Sequence, residues 1–326
     1  MFQEPLNAGD FQGAVLLSDR MKMKQPLFTI LTPTYNRANL LRRVFDCLKI
    51  QECKDFEWII VDDGSTDDTG VVVREFKSSS DIDIQYLKKE NGGKHTALNL
   101  GFESCKGELL LILDSDDQIT PDALKYIADL WDELRKDEKC AGIIGLCAYM
   151  DRNDVIGDKF PFEKGFSTIT RNMFFYGMRG DKCDFIRADY IKHLRFPVLP
   201  GQRFIPESLV TYELDKKYQY LCVNKILEYK EYQEGGITNN YLDLTLKYAD
   251  GFFPRFRHLA EKELVSQMSF KGKMVVYANF FRYLFHSNYG FWHETKSLEL
   301  TVVDAFKMPM ALLIGAAYYF NDRRVK

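Results

Sequence analysis

The chain has no Gly-x-Gly-x-x-Gly and no Gly-x-x-x-x-Gly-Lys-Ser/Thr where its first β-type run ends in Thr32-Pro33-Thr34-Tyr35-Asn36-Arg37. The glycines that let a phosphate approach the backbone are missing there, which disfavours a Rossmann dinucleotide site and a P-loop. Seven cysteines are scattered with no Cys-x-x-Cys pair and no histidine at zinc-ligand spacing. They read as reduced, mostly buried thiols of a cytoplasmic protein. A formal net charge of -3 gives no global drive toward nucleic acid, and no nucleic-acid partner is expected. There are no internal repeats or low-complexity tracts.

Long hydrophobic runs are also lacking. Met308 to Phe320 falls well short of the ~20 residues needed to cross a bilayer. It reads as a terminal helix packed on the protein's own core. The alternative is peripheral membrane contact, since Arg323-Arg324 and Lys326 supply a basic tail. Met1 to Gln25 has neither the basic start nor the apolar core of a signal peptide. Residues 1–25 read as a poorly ordered extension, with Met21 and Met23 as later candidate starts.

What is present is an α/β pattern. Strands expected at Phe28 to Thr34, Glu57 to Val61, Asp83 to Leu87, Leu109 to Leu113 and Gly142 to Tyr149 alternate with helices. The helices are expected from Arg37 to about Gln51, Thr66 to Lys77, about His95 to Cys105 and Pro121 to Lys136. Such alternation implies right-handed crossovers and a doubly wound, mostly parallel sheet. Thr66, and Thr120 before Pro121, are expected to cap their helices. Asp151 to Gly201 loosens into turns, aromatics and charges suited to meeting a substrate. Beyond Gly235-Gly236 the chain becomes helical and aromatic-rich, and Tyr277 to Trp292 reads as core packing.

Two acidic clusters follow apolar runs: Asp62-Asp63-Gly64-Ser65 and Asp114-Ser115-Asp116-Asp117. Either alone is ordinary turn chemistry. Together they place carboxylates at one sheet edge, where a metal-bound, negatively charged ligand can be met. Asp116 is the candidate metal ligand, with Asp114 on a ribose or on metal-bound water. Tyr35 can stack on a base, and Asp63 can accept a hydrogen bond from a uracil-type N–H. Asn91-Gly92-Gly93-Lys94 offers close ligand approach at Gly93 and a positive charge at Lys94.

In this order, Pro-Thr-Tyr-Asn-Arg, Asp-Asp-Gly-Ser-Thr-Asp, Asn-Gly-Gly-Lys and Leu-Asp-Ser-Asp-Asp, the segments resemble those of the inverting family 2 glycosyltransferases with the GT-A fold. The resemblance covers residues 26 to 120. It implies a nucleotide-sugar donor, most often a uridine diphosphate sugar, Mg²⁺ or Mn²⁺, and a saccharide or lipid-linked glycan acceptor. It also implies base contacts at Pro33, Tyr35 and Asp63, donor-pocket roles for Gly93 and Lys94, and ribose and metal roles for Asp114 and Asp116. Arg37 and Ser115 are counted with the donor-binding residues. Residues 26–120 would form the donor half, 121–235 the acceptor half and 236–326 a helical region.

Relatives commonly carry a Glu-Asp pair on the acceptor side. Here Ser208 stands at the expected Asp, in Phe204-Ile205-Pro206-Glu207-Ser208-Leu209. Glu207 is therefore the candidate base, its apolar neighbours being expected to desolvate it; the plainer reading is a helix-starting glutamate. Asp184 is the alternative base, and Arg179 a candidate aid to the leaving diphosphate. Against this stand a non-catalytic nucleotide-sugar-binding module and a sugar-phosphate nucleotidyltransferase. The latter would need glycines after the first strand, and Thr32 to Arg37 has none.

Overall fold

The structure is a computed structural model and describes residues 25–231, 240–298, 302–305 and 307–324. The expected extension before Gln25, the Gly235-Gly236 boundary and the final Val325-Lys326 lie outside the described residues. The strands are β1 (Phe28–Thr34), β2 (Phe56–Asp62), β3 (Asp83–Lys88), β4 (Leu109–Ile112), β5 (Gln118–Ile119), β6 (Cys140–Tyr149), β7 (Lys164–Ser167), β8 (Lys182–Arg187) and β9 (Gln219–Lys230). The first helices are α1 (Ala38–Lys49), α2 (Thr69–Ser79), α3 (Lys94–Ser104), α4 (Ala123–Leu134), α5 (Ile169–Phe174), α6 (Ala188–Ile191) and α7 (Ser208–Asp215). The helical end comprises α8 (Tyr241–Lys247), α9 (Ala249–Leu259), α10 (Lys262–Val265), α11 (Phe270–His286), α12 (Phe291–Lys296), α13 (Val302–Ala305) and α14 (Met308–Arg324).

β1 and β2 are buried along their whole length, with Thr29, Thr32, Thr34, Glu57 and Asp62 buried among their apolar residues. Alternation survives in where each side chain goes. Phe28, Ile30, Trp58 and Ile60 pack with Leu41, Val44, Phe76, Ile127 and Trp131 on one face, while Leu31, Ile59 and Val61 pack with Ala97, Leu98 and Phe102 on the other. The first layer is tightened by Phe45 stacked on Phe76 at 4.2 Å between ring centroids.

Strand order is β3-β2-β1-β4-β8-β6-β9-β5, with β7 paired to β9. The first four strands are parallel, as expected. Beyond β4 the sheet is mixed, because β8 enters antiparallel between β4 and β6. The loosened stretch read for Asp151 to Gly201 thus contains a central strand. Its Lys-Cys-Asp-Phe-Ile-Arg composition hides it: Cys183, Phe185 and Ile186 are buried, while Lys182 and Asp184 face a cavity.

Two helix starts shift. The helix expected from Thr66 begins at Thr69, where Asp67 accepts from the Thr69 N–H at 3.1 Å. The helix expected from Pro121 begins at Ala123, and the Thr120 hydroxyl donates to Asp122 at 2.8 Å instead of capping the helix. In both cases a carboxylate satisfies local donors before the helix closes its first turn.

Tyr212, Phe252, Phe253, Phe256, Tyr277 and Phe280 form a third core in the helical end. α14 packs on α11, where Arg282 grips Asp322 at 2.7 Å, so the C-terminal run is a helix against the protein's own core. Among the described residues no helix is long and apolar enough to cross a membrane. All seven cysteines are free, and five are buried.

Asp215, at the end of α7, is 2% exposed and accepts from the Thr170 N–H at 2.6 Å. Burial pushes its carboxyl up to about 7, against the hydrogen bonds from Thr170 and Ile169. A group whose folded pKa is raised binds its proton more tightly when folded, so stability falls as pH rises from about 4 to about 7. Asp215→Asn is therefore expected to gain up to about 3 kcal/mol relative to wild type between pH 5 and pH 8. Urea unfolding at the two pH values checks this.

Candidate active site

The parallel register brings three loops to one sheet edge: Thr34 pairs with Asp62, and Leu31 with Ile112. Tyr35 to Arg37, Asp63 to Asp67 and Asp114 to Asp117 leave the strands side by side. The first two are stitched together. The Asn36 N–H donates to the Ser65 hydroxyl at 2.8 Å, and the Thr66 N–H donates to Asn36 Oδ1 at 2.8 Å. Asn36 is held at φ 52, a conformation its short polar side chain tolerates. Tyr35 projects from this loop 47% exposed, open to stacking.

Two expected base contacts also have partners within the fold. Pro33 is buried within β1 in register with Val61, so its ring belongs to the sheet. Asp63 is 4% exposed and already accepts from Gly92 N–H (3.0 Å), Gly93 N–H (2.8 Å), Lys89 Nζ (2.6 Å) and Asn91 Nδ2 (3.2 Å). A carboxylate offers about four acceptor sites, and all are used. Its role here is to anchor the Asn91–Gly93 loop, a role that sequence reasoning missed along with Lys89.

Gly93 has φ 97 and ψ 157, backbone space open almost only to glycine. A Cβ there would lie 2.5 Å from the Arg203 carbonyl oxygen. Gly93→Ala is expected to cost about 2–3 kcal/mol and to displace Lys94. Chemical denaturation and UDP titration of the variant test both effects.

Lys94 is the hub. Its ammonium lies 2.5 Å from Asp114 Oδ1 and 2.6 Å from Glu207 Oε1, joining the β4 loop to the loop before α7. Burial opposes the charge on Lys94, but Asp114 and Glu207 outweigh it and raise its pKa above the ordinary lysine value. Burial would likewise raise Asp114, yet Lys94, Lys230 and Arg37 hold it low. Glu207 is 41% exposed and salt-bridged. The expected apolar desolvation is therefore not what surrounds it, because its carboxylate turns toward Lys94. It occupies the N-cap of α7 without capping it.

Arg37 Nη1 sits 2.9 Å from Asp116 Oδ2 and 3.4 Å from the buried Ser115 hydroxyl. From β9, Lys230 contacts Asp117 at 2.6 Å and Glu228 at 2.9 Å, pinning the acidic turn from beneath. Burial and Glu228 push the Asp117 carboxyl up to about 9, against Lys230. No sequence motif marked Lys230 or Glu228; they lie on a strand distant in the chain.

Two cavities open beside this hub, one of about 420 Å³ and one of about 330 Å³. Asp114, Glu207, Ser208 and Arg255 line both. Arg179 and Asp184 line the larger. Burial, then the nearby Glu228, pushes the Asp184 carboxyl up to about 7.

Among the described residues no group of three His, Cys, Asp or Glu side chains could hold a metal ion. Asp116 is a single, 14%-exposed carboxylate, paired to Arg37, in the turn that follows β4. That donor set suits a hard cation that completes its shell from diphosphate oxygens.

Residues 29–185 match the family description "Glycosyl transferase family 2". The chain carries a family 2 glycosyltransferase domain. The match begins inside β1 and ends in β8, so it spans the parallel half and the strand that follows. Glycosyltransferase GlyA of Streptococcus pneumoniae is 37% identical over 106 residues, which is 32% of this chain and 15% of that protein. The family 2 chain therefore spans much less than two thirds of the length of this relative. A crystal structure of Staphylococcus aureus TarS in complex with UDP-GlcNAc is 20% identical and covers 87% of this chain and 79% of that one, with a TM-score of 0.57. The mannosyltransferase PcManGT of Pyrobaculum calidifontis, solved with GDP-Man and Mn²⁺, is 17% identical, covers 96% of each chain and has a TM-score of 0.50. These likenesses establish the GT-A fold of the family 2 chain.

Proposed function

We propose that the chain is an inverting glycosyltransferase that moves a sugar from a UDP-sugar to a hydroxyl of a saccharide or lipid-linked saccharide. The observation that supports it most is Lys94, which ties the donor-side Asp114 to the acceptor-side Glu207 through contacts of 2.5 and 2.6 Å. One cation thereby sets the spacing between the group that meets the donor and the group that meets the incoming hydroxyl.

In the reaction the acceptor oxygen attacks the anomeric carbon from the face opposite the diphosphate, through a transition state with oxocarbenium character. The bond from that carbon to the diphosphate breaks, and its electron pair leaves with the diphosphate. The hydroxyl proton passes to the Glu207 carboxylate. Tyr35 stacks on the base, Asp114 meets the ribose, Gly93 lets the donor approach the backbone, and Lys94 and Arg179 face the leaving charge. Arg37 and Ser115 orient Asp116. When bound, Mg²⁺ or Mn²⁺ on Asp116 supplies positive charge against the diphosphate.

A second assignment of the base is favoured by one observation: the Asp184 carboxyl, pushed up to about 7, is poised to exchange a proton near neutrality. The outer face of α14, with Met310, Leu313 and Phe320 exposed ahead of Arg323-Arg324, supports peripheral contact with an anionic membrane bearing a lipid-linked acceptor. Binding to phosphatidylserine vesicles that is lost in Leu313→Glu tests that contact.

A screen of nucleotide sugars for donor hydrolysis with Mn²⁺ tests the main reading. Release of a nucleoside diphosphate from one donor is the expected result. No release and no transfer with any donor would favour a binding module.

A further inference from the structure

Arg255, on α9, carries a positive charge that no acid answers. Among the described residues its guanidinium makes no ion pair; Nη1 donates to the Tyr241 hydroxyl at 3.0 Å and Nη2 to the Tyr212 hydroxyl at 3.1 Å. Both partners are neutral phenols. The rings of Tyr212, Phe252 and Phe256 lie 5.6–5.8 Å from its central carbon, and its Nε is buried without a hydrogen-bond partner. An enclosed cation left in that state is costly, so the arrangement asks for an anion.

The position of Arg255 says where that anion would sit. The two cavities share four lining residues, Asp114, Glu207, Ser208 and Arg255. Both shared carboxylates are already engaged by Lys94. The smaller cavity sets Lys94, Arg203 and Arg255 against only Asp114 and Glu207, which leaves its wall positive. Arg203 is exposed and, among the described residues, it too has no ion-pair partner. Arg255 comes from the helical end and lines both cavities, neither of which is lined by Tyr35 or Asp116.

We propose that Arg255 is the anion-recognising residue of the acceptor subsite, so that the acceptor carries a phosphate or carboxylate beside the hydroxyl that receives the sugar. The two phenols hold the planar guanidinium in place, and each Nη uses one of its two N–H groups on a phenol, which leaves the other for a charge-assisted contact. The inference rests on the reading of Glu207 as the acceptor-side group.

The test is calorimetric titration of the full chain, with UDP present to fill the donor subsite, using glycerol 1-phosphate and glucuronate against their neutral counterparts glycerol and glucose. At least one anion is expected to bind more tightly than its neutral counterpart. Arg255→Gln is expected to weaken that anion at least tenfold and to leave the UDP affinity unchanged. Tighter binding of glycerol 1-phosphate marks a phosphate-bearing acceptor, and tighter binding of glucuronate a uronic acid. Should the Gln variant unfold, Arg255→Lys keeps the charge, loses the planar fork, and is expected to weaken the anion several-fold. Equal loss for anion and neutral compound, or no anion binding to wild type, would overturn the proposal. Failure of UDP itself to bind would count against the donor reading and leave the anion titration to be read on its own.

Discussion

Glu207→Gln is expected to lower the rate of sugar transfer by about 10³-fold while donor affinity stays within a factor of about two, the size of effect that a positioned general base contributes. Glutamine keeps the shape of the side chain but cannot take the hydroxyl proton. Donor binding survives because Lys94 retains its 2.5 Å contact with Asp114 when the Glu207 charge is removed. Single-turnover transfer together with UDP titration separates the two quantities, and unchanged transfer would remove Glu207 from the mechanism. The pH profile then decides between the two carboxyls. With Asp184 near 7, a base at that position gives a rate that climbs through neutrality, and Asp184→Asn erases the climb. Persistence of the climb in Asp184→Asn would dismiss Asp184.

Asp116→Ala is expected to weaken UDP binding at least about a hundredfold in Mn²⁺, and to change it little without the ion, since even outer-shell partners of a metal are worth about 10–100-fold. The reasoning is one of supply. Asp116 is the proposed metal carboxylate, and no cluster of three potential ligands exists among the described residues to replace it. Removing it also frees Arg37, which keeps a positive charge beside the diphosphate and preserves metal-independent binding. Calorimetry with and without Mn²⁺ reads both arms, and equal loss in both would make Asp116 a structural residue.

Much of the sheet edge where the carboxylates gather was legible from residue order. Strands buried on both faces are rich in apolar residues, and the clusters Asp62-Asp63 and Asp114 to Asp117 break that composition, so they mark the strand ends even though Asp62, Asp63 and Asp117 are themselves buried. Glycine pairs and a lysine after the third strand were equally visible. What each carboxylate does was not. Asp63 looked free to read a base and is saturated by the loop it supports, since its four donors come from residues 89–93 and only folding brings them within 3.2 Å.

The acceptor side was harder for a different reason. Motif position singles out Glu207 as a candidate, but its surroundings are not legible: apolar neighbours in sequence do not reveal that Lys94 lies 2.6 Å away. β8 is hard to read because it is only six residues long and three of them are charged, so the alternation of Lys182 and Asp184 with Cys183 and Phe185 spans too short a run to stand out. Arg255 sat inside an aromatic helix that read as packing.

By itself, then, the order of residues determined the alternation of strands and helices, the parallel half of the sheet and the edge at which its carboxylates gather, because those depend on local pattern and on the handedness of crossovers. Only the tertiary structure decided which carboxylate is capped, which is salt-bridged and which cation is left without an acid. Those states depend on burial and on side chains brought together from far along the chain, as Lys94, Asp114, Glu207 and Arg255 are here.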